Sequence, residues 1–130
     1  MSKRIESFRD LNVYQLAFQV QQEIFEISKS FPAEERYSLI DQIRRSSRSI
    51  GANIAEAWQK RRYQAHFVSK LSDADGEQAE TQHWLQTAIV CRYIALHDHE
   101  KLIHNCHEIG AMLGKMMSAP EKFCQRFLNT

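Results

Sequence analysis

Glu80-Thr-Gln-His83 sets a carboxylate and an imidazole one helical turn apart, the spacing with which helical bundles present ligands to paired metal ions. A di-metal site needs two such motifs and a Glu from each remaining helix, and only one motif is present. His104 and His107 repeat the one-turn spacing beside Glu100 and Glu108, and His97 and His99 lie just upstream. Solvated helix histidines account for these letters, so no metal ligand and no cofactor is expected. Ser46, Ser47 and Ser49 have no local Ser/His/Asp logic, and the chain has no Gly-rich phosphate loop, HExxH zinc motif or nucleophile elbow. No catalytic residue stands out. The expectation is a protein that is not an enzyme, a metal-dependent bundle enzyme being the most remote alternative.

Cations are the other residues with chemistry to offer. Arg44, Arg45 and Arg48 fall within one turn of a helix, and Lys60, Arg61 and Arg62 follow in a cluster. They can contact phosphates, with Trp58 or Tyr63 as a stacking ring, so these six residues are the expected nucleic-acid face if RNA or DNA is bound. The competing account is internal pairing. Basic residues crowd the stretch from Arg36 to Arg62, and acidic ones (Asp73, Asp75, Glu77, Glu80, Asp98, Glu100) the stretch from Lys70 to Glu100. Adjacent antiparallel helices would match these faces within the fold or between subunits. A net charge of +1 gives no global pull toward nucleic acid or anionic membrane.

The segment that must position both sets is Gln42 to Arg62. Ile43, Ile50 and Ile54 recur at helical spacing, while Ser46, Ser47, Ser49, Gly51, Ala52 and Asn53 fill the turns between them. Small residues admit a close neighbour helix. Asn53 and Glu56 are expected to face inward and to find partners such as Gln42 or Arg45, because an unpaired buried polar group costs roughly 1 to 3 kcal/mol.

Apolar stripes of period near four predict helices over about residues 10–29, 32–59, 62–96 and 99–118. Val13, Leu16, Ala17, Val20, Ile24 and Ile27 mark the first, with Tyr14, Phe18 and Phe25 widening its face beyond one seam. Phe31-Pro32 ends it, and Pro32 with Glu34 and Glu35 suits the start of the second. Phe67, Leu71, Ala74, Gln78, Leu85 and Ile89 mark the third, with an interruption expected at Asp73, Asp75 and Gly76. His97, Asp98 and His99 supply the last turn, then Leu102, Cys106, Ile109, Leu113 and Met116 the fourth stripe. Pro120 stops it, and Phe123 and Phe127 give the tail something to dock with. The fold class is all-α, an antiparallel up-down four-helix bundle in a single domain over 1–130.

Composition agrees: 130 residues, 43% hydrophobic and 25% charged, with four Gly and two Pro to break helices. Three cysteines at spacings that match no zinc or redox motif read as reduced thiols. With no signal-peptide pattern after MSKRIESFRDL and no membrane-length apolar run, a cytoplasmic protein without membrane contact is expected.

Phe8-Arg-Asp-Leu11, Phe31-Pro32, Glu35, Tyr37, Gln42-Ile-Arg-Arg45 and Ser49-Ile-Gly-Ala-Asn-Ile-Ala-Glu56 resemble the four-helix bundle protein family, also called the 23S rRNA intervening-sequence protein or S23 family. The likeness continues through Phe67, Leu71, Ala74, Gly76, Glu80 and Leu85. It implies a cytosolic bundle that assembles with copies of itself into a ring, typically a homopentamer. Some members are encoded inside 23S rRNA gene intervening sequences. A related branch, the accessory variability determinant of diversity-generating retroelements, binds nucleic acid and a reverse transcriptase through a basic pentameric surface. Ala57 and Gln59 stand where the family favours Gly, Lys70 and Asp73 where it is usually apolar, and Glu77 where it has a small serine. These departures point away from the retroelement role. The expected function is a non-catalytic, ring-forming bundle protein of unknown cellular role, with an RNA- or DNA-binding accessory protein as the alternative.

Overall fold

The computed structural model describes residues 4–124, and Phe127 lies outside them. Four helices follow in order: α1 (Asn12–Ser28), α2 (Leu39–Gln59), α3 (Gln64–Val90) and α4 (Leu96–Ser118). Each packs on the next and α4 closes back on α1, with no diagonal contact, so the helices stand at the corners of an up-down bundle. No strand occurs among the described residues. The α2–α3 seam is the most extensive.

The stripes become the core. Val13, Ala17, Val20 and Ile24 of α1 meet Ile43, Ile50, Ile54 and Trp58 of α2, Phe67, Leu71, Ala74 and Leu85 of α3, and Leu102, Cys106, Ile109 and Leu113 of α4. Phe123, beyond α4, stacks on Phe67 with ring centroids 6.0 Å apart. The small residues of α2 serve close approach on two sides. A Cβ built on Gly51 would stand 3.5 Å from the Tyr14 ring of α1. Ser46, fully buried, lies 3.0 Å by its hydroxyl from that of Thr81 on α3.

Several boundaries differ from the sequence reading. Helix α2 starts at Leu39 rather than Pro32, because Pro32 is extended (ψ 143), a 3-10 turn takes Ala33–Glu35, and Ser38 leaves helical geometry. Its cap comes from upstream: the Glu35 carboxylate accepts from Ser38 Oγ at 2.6 Å and from the Leu39 amide at 3.4 Å. Tyr93, after α3, donates to the same carboxylate at 3.0 Å. These bonds, Ser38's first, hold the Glu35 carboxyl below its usual range. They also push the Tyr93 phenol up to about 12.

Helix α3 runs without interruption through Asp73, Asp75 and Gly76. An exposed Gly costs about 1 kcal/mol against Ala in a helix, less than the buried contacts of Leu71, Ala74 and Thr81 on either side return. The helix stops at Val90, and the turn is residues 91–95, so His97, Asp98 and His99 belong to the first turn of α4. The stop is a Schellman motif without glycine. Arg92 takes φ 64, its amide bonds the Ile89 carbonyl at 3.0 Å, and the Tyr93 amide reaches Ala88 at 2.9 Å. At the other end, a 3-10 turn over Phe8–Asp10, with Ser7 and Asp10 in a reciprocal capping box, precedes α1, which therefore begins at Asn12.

Candidate functional site

Arg44, Arg45 and Arg48 fall within an arc of about 100° on α2, but their side chains reach toward different neighbours. Arg45 turns to α3. It donates to Glu77 at 2.9 Å and to Glu80, and Gln42 Oε1 accepts from its Nε at 3.3 Å. Trp84 donates its indole N–H to the same Glu80 carboxylate at 3.0 Å. Trp84 first and Arg45 second hold the Glu80 carboxyl below its usual range, while Glu80 raises the guanidinium. Arg44 and Arg48 turn to α1, where their guanidiniums lie 4.8 and 5.5 Å from the Phe25 ring centre. Arg44 also donates to Ser28 Oγ at 2.8 Å. Lys29 reaches the same ring at 4.7 Å.

The second cluster sits a helix length away, where α2 hands over to α3. Arg61 lies 3.9 Å over the Trp58 ring and donates to the Trp58 carbonyl at 2.7 Å. Burial there lowers its pKa. Trp58 itself is only 6% exposed and so is no stacking platform. Tyr63 is, at 52% exposed, with Arg62 5.9 Å from its ring. Lys60 is exposed beside them. The six cations thus form two separate groups with Arg45 drawn out of both.

The expected inward pair also divides. Asn53 is half-buried and bonds its own helix, donating to the Ser49 carbonyl at 2.9 Å. Glu56 is exposed, contrary to expectation, because its position on α2 falls outside the seam, and it pairs with Lys70 of α3 at 3.1 Å. That bond raises the Lys70 pKa. The pairings Arg45–Glu77 and Arg45–Glu80 show the basic stretch of α2 meeting the acidic stretch of α3 within one chain, while Lys70–Glu56 joins the same helices with the charges exchanged.

The 23S rRNA-intervening sequence protein family matches residues 9–115. The chain belongs to that family. A solved structure agrees: a protein with unknown function from the S23 ribosomal protein family of Bacteroides thetaiotaomicron is 32% identical, with a TM-score of 0.74 over 82% of this chain and 95% of that one. No curated protein matches the chain. Both side chains of the Glu80-x-x-His83 motif have partners within the fold. Glu80 is taken up by Arg45 and Trp84, and His83 packs edge-on against Trp84 with centroids 4.7 Å apart. No group of three or more His, Cys, Asp or Glu among the described residues is placed to hold a metal ion. Cys91, Cys106 and Cys124 are free thiols. Burial pushes Cys106 up to about 12. No described helix is long and apolar enough to cross a membrane.

Sequence reading missed the Phe25 cation cage, the Trp84–Glu80 bond and the Glu35–Tyr93 tie. A Phe at 25 with Lys at 29 signals one side of the cage, but only packing brings Arg44 and Arg48 to it.

Proposed function

We propose that this member of the 23S rRNA-intervening sequence protein family acts through self-assembly, as a non-catalytic homo-oligomeric ring, most readily a pentamer. The observation that carries this is the amount of large apolar side chain left on the surface: Phe18 is 46% exposed, Tyr37 83%, Val90 69% and Leu96 62%. Single exposed apolar residues are ordinary on a chain of 130 residues, and the reading takes these four as contact points for further copies. Native mass spectrometry of the intact protein at micromolar concentration tests it. Assemblies of five copies are expected. A monomer under those conditions refutes the reading.

A second reading rests on Lys60, Arg61, Arg62 and Tyr63. Three consecutive cations stand beside a half-exposed ring, the chemistry that holds single-stranded nucleic acid by phosphate contact and stacking. Repetition round a ring would multiply it. Arg44 and Arg48 would add to it only from the far half of α2, and Arg45 is engaged by Glu77 and Glu80. Filter binding of RNA and single-stranded DNA at several salt concentrations separates the readings, since phosphate contacts weaken steeply with salt.

A further inference from the structure

Helix α1 has oppositely charged flanks. Toward α2, Lys29, Arg44 and Arg48 surround Phe25, and neither Arg44 nor Arg48 has a carboxylate within ion-pair distance among the described residues. Phe18, 46% exposed, continues that flank two turns earlier. Toward α4, Glu23, Glu26, Asp98 and Lys101 line an open groove of about 490 Å³. Lys101 is occupied by Glu23 at 3.1 Å, which leaves Asp98 without a cation partner among the described residues.

We propose that these flanks are the two halves of one head-to-tail contact: the cationic face around Phe25 and Phe18 of one copy seats against the acidic α1–α4 groove of the next. The inference rests on the assembly reading above and assigns the surfaces that carry it. Three features select a second copy as the occupant. The charges left over are complementary: Lys29 and Glu26 already pair at 3.2 Å and Lys101 with Glu23 at 3.1 Å, which leaves Arg44 and Arg48 on one flank and Asp98 on the other without an ion-pair partner among the described residues. Both flanks are built on the same stretch of α1, Phe18 to Lys29, so they lie at one height along the bundle and their contact adds no axial rise. They are different surfaces, so the contact is heterologous and yields a ring only if its rotation closes. Faces that share one corner helix of a four-cornered bundle point about 90° apart, and a turn of that size closes after about four or five copies with α1 lining the bore.

Arg48→Glu and Asp98→Lys each reverse one flank at a position away from the core. By sedimentation at low salt, each variant alone is expected to self-associate roughly 100-fold more weakly than wild type, the scale of a close like-charge pair across an interface. One chain carrying both changes recovers association because the reversed flanks attract again, and an equimolar mixture recovers it in part, since alternation round a ring of five leaves one like-charged contact. Circular dichroism establishes that each variant is folded. If Arg48→Glu does not fold, Arg48→Gln with Asp98→Asn takes its place, with a weakening of roughly ten-fold expected. Folded variants that assemble like wild type overturn the assignment and leave the assembly reading standing. Loss without recovery in the charge-reversed double variant also overturns it. A monomeric wild type defeats the assembly reading itself.

Discussion

Replacing Arg45 with Met removes the one cation that links α2 to two carboxylates of α3 while keeping most of its apolar stem. The side chains are partly solvated, with Arg45 45% exposed, Glu77 20% and Glu80 34%. The pair therefore belongs with surface ion pairs, each contributing about 0.2 to 1 kcal/mol, rather than with buried ones. Two such contacts give about 1 kcal/mol at neutral pH, or a melting temperature lower by about 3 to 5 °C for a domain of this size. The pH dependence has a definite sign. Glu80 is held below its usual carboxyl value of 4.5, so its stabilising effect is complete above that value and is lost as pH falls through the depressed one. Arg45→Met should therefore be less stable than wild type at pH 7 and at pH 5, both above 4.5, and the gap should narrow as pH falls below that value. Urea unfolding at fixed protein concentration measures it, since assembly makes apparent stability concentration-dependent. A gap that does not narrow at all as pH falls below 4.5 would refute the argument. So would no gap at all, which would return Arg45 to the pool of cations open to phosphate.

Other substitutions test the packing and the basic surface. Ala at Gly76 or Gly114, where an added Cβ meets nothing within 4 Å, should stabilise by about 0.5 to 1 kcal/mol, whereas Val at Gly110, whose Cβ would stand 3.1 Å from Gln78 Nε2, should destabilise; thermal melts decide. Phe67→Ala, at a fully buried ring stacked on Phe123, should cost about 3 to 5 kcal/mol by urea titration. Lys60, Arg61 and Arg62 changed together to Ala should lower the slope of log affinity against log salt by about 0.7 per lost contact on single strands; an unchanged slope removes the cluster from any nucleic-acid role.

The core was legible because a stripe of period near four survives any reading of a helical sequence: nearly every stripe residue, from Val13 to Met116, is buried or packed against buried neighbours. The ends were less so. Glu35 caps a helix that begins four residues later and is itself fixed by Tyr93, 58 residues away, so no local window contains the signal. Arg92 in a left-handed turn is silent for a related reason, since Gly is the usual mark of that conformation and the motif here bears its cost without one. For the candidate site, clustering in sequence was misleading. Cations adjacent in the chain lie on different sides of the helix, and their partners come from α1 and α3.

One structural feature decides where those cations go. Ser46 and Thr81, both fully buried, satisfy each other across the α2–α3 seam, and Thr81 also reaches the Glu77 carbonyl at 2.9 Å. Sliding either helix by a turn would break the bond between them, leaving each hydroxyl only its own-helix acceptor, the Glu77 carbonyl at 2.9 Å or the Ile43 carbonyl at 3.4 Å, so the pair favours the observed register by about 0.5 to 1.5 kcal/mol. The register then propagates by geometry alone. With Ser46 turned into the α3 seam, Arg45 one step before it falls on the outer α3 side, against Glu77 and Glu80. Arg44 and Arg48, about one turn apart and about 100° and 60° round the helix from Arg45, lean to the α1 side against Phe25. A small polar residue in the core thereby divides the basic segment into a guanidinium used to join helices and two left at the surface. Thr81→Val, which keeps the shape and removes the hydroxyl, should cost about 1 to 2 kcal/mol alone and less than the sum of the single changes when combined with Ser46→Ala. Strict additivity in that cycle would mean the hydroxyls do not act as a pair, and the account of how the arginines are sorted would lose its origin.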